Sequence, residues 1–312
     1  MTVASAGSAY PERGSTRPLA RIGRRIEPYL YASPALILIV AVMLVPLALG
    51  VSYAFRDVKL LNPLSGGFVG LAHFRALMGD RNFALAFSNT LWWTFGSLIL
   101  QFFLGFLLAI LLNRSFPGKR IAQALVFLPW AVPTFLTGLD WAWLFNPIVG
   151  PLPHWLFALG VMEEPSNILA DPATAMWGPI AANVWYGIPF FAITLLAALQ
   201  SIPNELYEAA SIDGASEAQQ FRSITLPFLA PTIAITLMLR TVWIANFADL
   251  IVVMTNGGPA DSTQIVASYI FTQAFRRLDF GYASAIAAVL LVLLLLYSLA
   301  IIALRRSLLR AG

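Results

Sequence analysis

The segment SIPNELYEAASIDGASEAQQFRSITLP, residues 201–227, is a polar stretch between two long apolar runs. Pro203 stands where the first turn of a helix tolerates proline, and Gly214 is placed to end that helix. Ser216 and Gln219 have the spacing of a capping box, which starts a second helix. The segment therefore predicts a helix, a turn and a second helix.

The first of these two helices carries small side chains on one face. Residues at three- and four-residue spacing share a helical face, and here they are Leu206, Ala209, Ala210 and Asp213. The alanines leave room for another surface to approach closely. A short amphipathic hairpin of this kind, held at a membrane surface, is typical of a docking element.

The segment also contains a longer pattern: Glu-Ala-Ala, three residues, glycine, nine residues, and Ile-x-Leu-Pro. It resembles, at every fixed position, the cytoplasmic EAA loop of ATP-binding-cassette (ABC) importer permeases; the alternative is a plain interfacial loop. The resemblance implies that residues 201–227, here named the coupling hairpin, insert into a groove on a separate ATPase subunit. The coupling residues that it implies are Glu208, Ala209, Ala210, Asp213, Gly214, Ile224, Leu226 and Pro227.

The composition indicates a membrane protein that crosses the bilayer several times. Of the 312 residues, 59% are hydrophobic and 11% are charged, and the mean hydropathy is +0.77. The net charge of +4 does not indicate nucleic-acid binding, because the basic residues lie beside apolar runs. The chain has no cysteine, which excludes disulfides, thiol catalysis and cysteine-based metal sites.

Six apolar runs are long enough to cross a bilayer as helices. We therefore expect an all-α, polytopic membrane protein with six transmembrane helices and a cytoplasmic coupling hairpin. The expected permease domain covers residues 29–304, between a flexible polar tail (1–28) and a short C-terminal tail (305–312). The predicted spans are residues 28–55, with Pro34 and Pro46 as stiffening or kinking points, and residues 83–112, 121–145, 173–199, 227–250 and 282–304.

The basic residues orient these spans by the positive-inside rule. Twelve lie on the side of the two termini and the coupling hairpin, and six lie in the opposite loops. We therefore expect a multi-pass protein of the cell membrane, with both termini and the hairpin in the cytoplasm. The twelve are Arg13, Arg17, Arg21, Arg24, Arg25, Arg114, Lys119, Arg120, Arg222, Arg305, Arg306 and Arg310.

The sequence contains no recognisable catalytic equipment. Gly118 and Lys119 lack the flanking pattern of a phosphate-binding loop, so ATP and magnesium are expected on a partner ATPase and no cofactor is expected in this chain. His73 and His154, the two histidines, have no carboxylate pattern beside them, so we expect no metal site. No nucleophile elbow or pair of catalytic carboxylates lies in a span.

Polar and aromatic residues within the spans are candidates for a substrate pathway. Asn183, Trp185 and Tyr186 fall at mid-depth of the fourth predicted span, and Gly187-Ile188-Pro189 predicts a kink or break there. Polar-aromatic residues beside a broken helix are typical of a midplane site. Simple packing between helices is the alternative explanation.

The fifth span carries a charge that is costly to bury without a partner or water. Arg240 lies about 20 Å from the inner end of that span, so it faces either a substrate pathway or a structural partner. Asn246 lies higher on the same helix and is a candidate for the entrance. Asp249, like Asp140, lies near the outer boundary, where an ordinary interfacial position is the alternative.

Several further segments resemble carbohydrate importer permeases of the maltose and glycerol-phosphate type. They are GLDWAWLFNP (138–147), LAALQSIP (196–203), TNGGP (255–259) with Thr263, and residues 275–282. The resemblance implies a disaccharide cargo, with trehalose as the leading candidate. The compact first outer loop departs from maltose permeases, in which a large insertion occurs there, so their binding-protein contacts do not transfer.

The family resemblance also implies an assembly. Its members are a second, similar permease, a dimer of the ABC ATPase and an extracytoplasmic sugar-binding protein or lipoprotein, with membrane lipids around the permeases. The alternatives are the same importer class carrying glycerophosphodiesters or oligosaccharides, and an ion-coupled secondary transporter. The latter predicts acidic residues at mid-depth and an internal repeat, and neither is clear in this sequence.

Overall fold

The structure is a computed structural model that describes the backbone of residues 18–62 and 64–311, and the side chains of residues 29–62 and 64–304. Within these residues the protein is helical apart from turns and two isolated β-bridges, and it contains no strand. The expected all-α class is confirmed. The chain divides into two compact units, residues 1–52 and residues 53–312.

The described part of the first unit is one long helical stretch. Helix α1 (Pro18–Ile39) passes through a π-helical turn (Val40–Leu44) into α2 (Val45–Tyr53). Proline has no N–H to donate to the carbonyl four residues earlier, and its ring collides with that carbonyl in a regular helix. The wider turn directly before Pro46 accommodates this, so the first predicted span is helical without a break at Pro34 or Pro46.

The two expected tails differ from the observed helix ends. Residues 1–17 lie outside the described residues, but α1 begins at Pro18, so residues 18–28 are helical instead of a flexible segment. Residues 305–311 continue the last helix, α14 (Phe280–Ala311). Backbone hydrogen bonds do not require apolar side chains, and arginine and leucine are good helix formers. The first and last helices can therefore extend beyond the apolar runs from which the spans were predicted.

Across the described residues, five helical stretches are long and apolar enough to cross a membrane, or six if one sharply bent pair forms a single span. This agrees with the predicted number. The helices of the second unit, besides the end of α2, are α3 (Ala72–Met78), α4 (Arg81–Asn113), α5 (Lys119–Ala131), α6 (Thr134–Leu144), α7 (Pro151–Ala158), α8 (Trp177–Gln200), α9 (Asn204–Ile212), α10 (Glu217–Gln220), α11 (Leu226–Ala245), α12 (Asp249–Met254), α13 (Val266–Phe271) and α14.

The third predicted span is not one straight helix. Helices α5 and α6 meet at a bend of 96°. Two residues, Val132 and Pro133, lie between them, and Val132 is extended (φ −91°, ψ 125°). Pro133 favours this conformation, because the ring of a proline disfavours the helical conformation for the residue before it. Hydropathy did not predict this break, because residues 121–145 form one long apolar run.

The fifth predicted span, residues 227–250, begins and ends differently in the structure. The helical stretch starts at α10 in the coupling hairpin and passes through a π-helical turn (Phe221–Thr225) into α11. It is interrupted after Ala245, where Asn246 forms the C-cap, and α12 follows from Asp249. The hairpin and the fifth span therefore share one continuous helix.

Helix α8 lies at the centre of the second unit and packs most extensively on α4. Gly105 of α4 permits this close approach, because a Cβ there would lie 2.5 Å from the Cβ of Phe191. Phe191 and Leu195 of α8 are fully buried. The helix runs unbroken through Pro189, so the break predicted at residues 187–189 is absent.

Candidate functional site

The coupling hairpin has the predicted helix–turn–helix structure. Helix α9 ends at Ile212 with Asp213 as its C-cap, and Gly214 follows with a positive φ of 80°, which glycine adopts without strain. Ser216 and Gln219 form the capping box, with the Ser216 N–H donating to Gln219 Oε1 at 2.7 Å. Pro203 is extended and immediately precedes α9, one position earlier than predicted.

Hydrogen bonds between the two helices decide which face of α9 is free. The hydroxyls of Tyr207 and Thr225 lie 2.9 Å apart, and Gln220 Nε2 donates to Ser211 Oγ at 2.9 Å. Ala210 lies on this inner side and is half-buried. Of the predicted face, Leu206, Ala209 and Asp213 are exposed, whereas Ala210 is partly covered.

The outer face of α9 is exposed and carries both charge and an apolar group. Ile212 is 87% exposed, although the sequence analysis did not single it out. At the other end of the coupling hairpin, Ile224 packs against the main hydrophobic core, whereas Leu226 and Pro227 are exposed. The exposed residues of the outer face are Glu205, Leu206, Glu208, Ala209, Ile212 and Asp213.

The second candidate region is a cavity of about 540 Å³ near the end of α11, here named the aromatic cavity. Four of its eight lining residues are aromatic, and the Tyr186 ring stacks on Phe247, with centroids 5.8 Å apart. The Trp130 indole donates to the Tyr186 carbonyl at 2.9 Å. The lining residues are Trp130, Tyr186, Arg240, Val242, Trp243, Ile244, Asn246 and Phe247.

Arg240 is the charged residue of this wall, and it is only 4% exposed. Its Nε donates to Gln101 Oε1 of α4 at 2.7 Å, and its Nη2 donates to Asn183 Oδ1 of α8 at 3.4 Å. Among the described residues it has no carboxylate within ion-pair distance. Arg240 thus lines a cavity and also links three helices, so the two explanations considered for it are not exclusive.

The structure brings together four of the six pathway candidates and separates the other two. Tyr186, Arg240 and Asn246 line the aromatic cavity, and Asn183 lies fully buried behind Arg240. Trp185 packs against Trp141, with ring centroids 6.2 Å apart, and does not line the cavity. Asp249, also outside it, accepts a hydrogen bond from Thr134 Oγ1 at 3.2 Å.

Sequence reasoning missed four aromatic or polar residues of this region. Trp243 follows Arg240 by three positions, which places it on the same face of α11, and Phe247 lies just beyond the end of that helix. That spacing was a usable signal. Trp130 lies on α5, and Gln101 stands alone in the apolar run of α4. No local pattern connects either of them with Arg240.

A polar cluster lies where the predicted outer loops meet. Asp80 caps α4 through the Asn82 N–H and accepts from the hydroxyls of Tyr269 (2.7 Å) and Tyr282 (2.6 Å). Burial alone raises the pKa of Asp80, but these hydrogen bonds outweigh it and hold the pKa below its usual range. Burial and the bond to Asp80 raise the pKa of Tyr269 to about 12.

Neither histidine forms part of a metal site in the described part of the chain. His73 Nε2 lies 3.0 Å from the Arg56 carbonyl oxygen. No group of three or more histidine, cysteine, aspartate or glutamate side chains there could hold a metal ion.

Comparison with known proteins places the chain in a family. MalF of Thermococcus litoralis, a trehalose/maltose transport system permease protein, is 38% identical over 233 residues, covering 74% of this chain and 78% of that protein. UgpA of Agrobacterium fabrum, an sn-glycerol-3-phosphate transport system permease protein, is 32% identical over 274 residues, covering 87% and 92%.

A solved structure of a transporter is also similar to this chain. A chain of the bacterial alginate ABC transporter, in complex with alginate pentasaccharide-bound periplasmic protein, matches with a TM-score of 0.76 and 26% identity, covering 90% of this chain and 96% of that chain. Residues 101–310 match the family model described as "Binding-protein-dependent transport system inner membrane component". The chain therefore belongs to this family of binding-protein-dependent inner-membrane transport components.

Proposed function

We propose that this protein is a permease subunit of an ABC importer for sugars, and that the aromatic cavity contacts the cargo. The cavity carries the proposal, because its chemistry suits a sugar. Flat C–H faces of a sugar pack on aromatic rings, and its hydroxyls need hydrogen-bond partners. Trp243 and Tyr186 supply rings, and Arg240 and Asn246 supply polar groups in the same cavity.

The coupling hairpin is the proposed contact with the ATPase. Its outer face is free, and its second helix continues directly into α11, which carries Arg240. Motion imposed on the hairpin by ATP-driven closure of an ATPase dimer would therefore reach the cavity wall along one helix. In this proposal ATP and magnesium bind to the partner, and the chain itself is not catalytic. A second permease completes the pathway, and an extracytoplasmic sugar-binding protein or lipoprotein delivers the cargo.

Trehalose is the first candidate cargo, and a glycerol phosphate or glycerophosphodiester is the second. The disaccharide is supported by the ring-lined wall and by the similarity to MalF. The phosphate ester is favoured by one observation, which is that Arg240 has no carboxylate partner among the described residues. Guanidinium groups bind phosphate well. An oligosaccharide, as in the alginate transporter, is a third possibility for the same cavity.

The experiment is uptake by cells that carry the complete importer and lack other sugar importers. Labelled trehalose, maltose, sn-glycerol 3-phosphate and alginate oligosaccharide are offered separately, with the ATP pool intact or depleted while the ion gradients are held. We expect saturable trehalose uptake that stops when ATP is depleted. Uptake that survives ATP depletion would contradict the ABC mechanism. If only one of the other compounds is taken up, that compound and not trehalose is the cargo.

A further inference from the structure

We infer that Gln101 is the positioning residue that aims the Arg240 guanidinium into the aromatic cavity. Gln101 lies on α4, does not line the cavity, and is fully buried. It acts on Arg240 from behind, through the bond from Arg240 Nε to Gln101 Oε1 of 2.7 Å. The inference rests on the proposed function, because it assigns Arg240 a role in cargo binding.

Gln101 is itself held in one orientation. Its Nε2 donates to the backbone carbonyl of Asn183 at 2.9 Å, so the amide is clamped between α8 and α11. The amide oxygen must therefore face Arg240, because the amide nitrogen is engaged elsewhere. Arg240 Nη2 reaches the side chain of the same Asn183. One edge of the guanidinium is occupied by these two acceptors.

The other edge of the guanidinium is free for a ligand. Nη1 makes no hydrogen bond to the described residues, and Arg240 lines the cavity. Because the guanidinium is planar, a bond at Nε fixes the direction of the donors on Nη1. A long, flexible side chain without this bond would spread over several rotamers. Gln101 thus lowers the entropy that Arg240 would lose on binding cargo.

Gly187 provides the space for this arrangement. A Cβ at this position would lie 2.5 Å from Arg240 Nη2, and still closer to the amide of Gln101. The glycine that was expected to break α8 serves instead to let two polar side chains pass against its backbone. Three helices thus contribute to one small polar cluster: Gln101 from α4, Asn183 and Gly187 from α8, and Arg240 from α11.

The test measures KM and Vmax of uptake in cells carrying the complete importer, with whichever of the four compounds offered above the wild type takes up. Gln101→Met removes the acceptor at similar volume, whereas Gln101→Glu keeps an acceptor for Arg240 Nε but loses the donor to the Asn183 carbonyl. We expect the first to raise KM about 5- to 50-fold and the second to raise it less. The matched control is Thr94→Val on the same helix, because Thr94 is buried, has an unpartnered hydroxyl and does not line the cavity. It should leave KM unchanged.

A double-mutant cycle separates positioning from a merely structural role. Arg240→Met should raise KM by itself, and Gln101→Met should have no further effect on KM in that background. If Gln101→Met leaves KM normal, or raises it equally with and without Arg240, the inference is wrong. If Arg240→Met itself leaves KM normal, Arg240 does not bind cargo, and the proposed role of the aromatic cavity is wrong. If Gln101→Met does not reach the membrane, Gln101→Asn decides, because its shorter side chain cannot reach Nε.

A second measurement needs no cargo. The chain has no cysteine, so Asn246→Cys introduces a single thiol at the cavity wall. The nearby guanidinium should raise the rate of reaction with an anionic methanethiosulfonate reagent relative to the rate with a cationic one. The ratio of the two rates should fall at least about threefold when Gln101→Met is added, and further with Arg240→Met, which removes the charge itself. An unchanged ratio with Gln101→Met, where Arg240→Met lowers it, would overturn the inference.

Discussion

The coupling hairpin and the aromatic cavity lie in the same chain, but the contacts that build them span very different distances along the sequence. In the hairpin, the bond between Tyr207 and Thr225 joins residues 18 positions apart. Around the cavity, Arg240 bonds to residues 57 and 139 positions away. The hairpin is thus specified by local pattern, whereas the cavity wall depends on how α4, α5, α8 and α11 pack. Mutations should accordingly act differently in the two regions.

The largest expected effect concerns the side of the membrane on which the hairpin lies. A reporter fused after Gly312 should be cytoplasmic, and one inserted at Gly258 should be external, because the charge count places the hairpin and both termini inside. The response of a compartment-specific reporter is all-or-none. Two reporters on the same side would contradict the six-span topology and remove the hairpin from the reach of an ATPase.

The next effect is loss of coupling. Gly214→Val strains a residue whose φ is 80° by about 1–3 kcal/mol, and Glu208→Lys reverses a charge on the exposed face of α9. We expect both to abolish most uptake while membrane insertion stays normal. Gly214→Asn is the matched control, because asparagine tolerates positive φ. ATPase co-purification and uptake are measured, and normal values for both variants would refute docking through this hairpin.

A smaller effect separates two neighbouring aromatic residues of α8. Tyr186→Ala removes a ring from the cavity wall and should raise KM about 5- to 150-fold, as expected for a contact worth about 1–3 kcal/mol. Trp185→Ala removes a partner of Trp141 outside the cavity. It should lower thermal stability and leave KM within about twofold. The opposite pattern, with KM sensitive only at Trp185, would move the site to the other face of α8.

Helical hydrogen-bond geometry explains which boundaries were found from the sequence. The capping box at Ser216 and the positive φ at Gly214 were predicted because each depends on a residue type within one helical turn. Prolines were harder to interpret. Pro133 produced a sharp bend, whereas Pro189 lies within a continuous helix. The outcome at a proline depends on whether neighbouring helices hold the freed backbone in place, and hydropathy carries no information about that.

The sequence by itself determined the helical membrane class, the approximate spans, the local structure of the hairpin and the spacing that places Arg240 and Trp243 on one helical face. These follow from periodicity, capping and hydropathy, which act over a few residues. Only the tertiary structure decided that Gln101 contacts Arg240, that Trp185 points away from the cavity and that Ala210 is turned inward. Each of these depends on the rotation of a helix about its axis, and side-chain packing between distant helices sets that rotation.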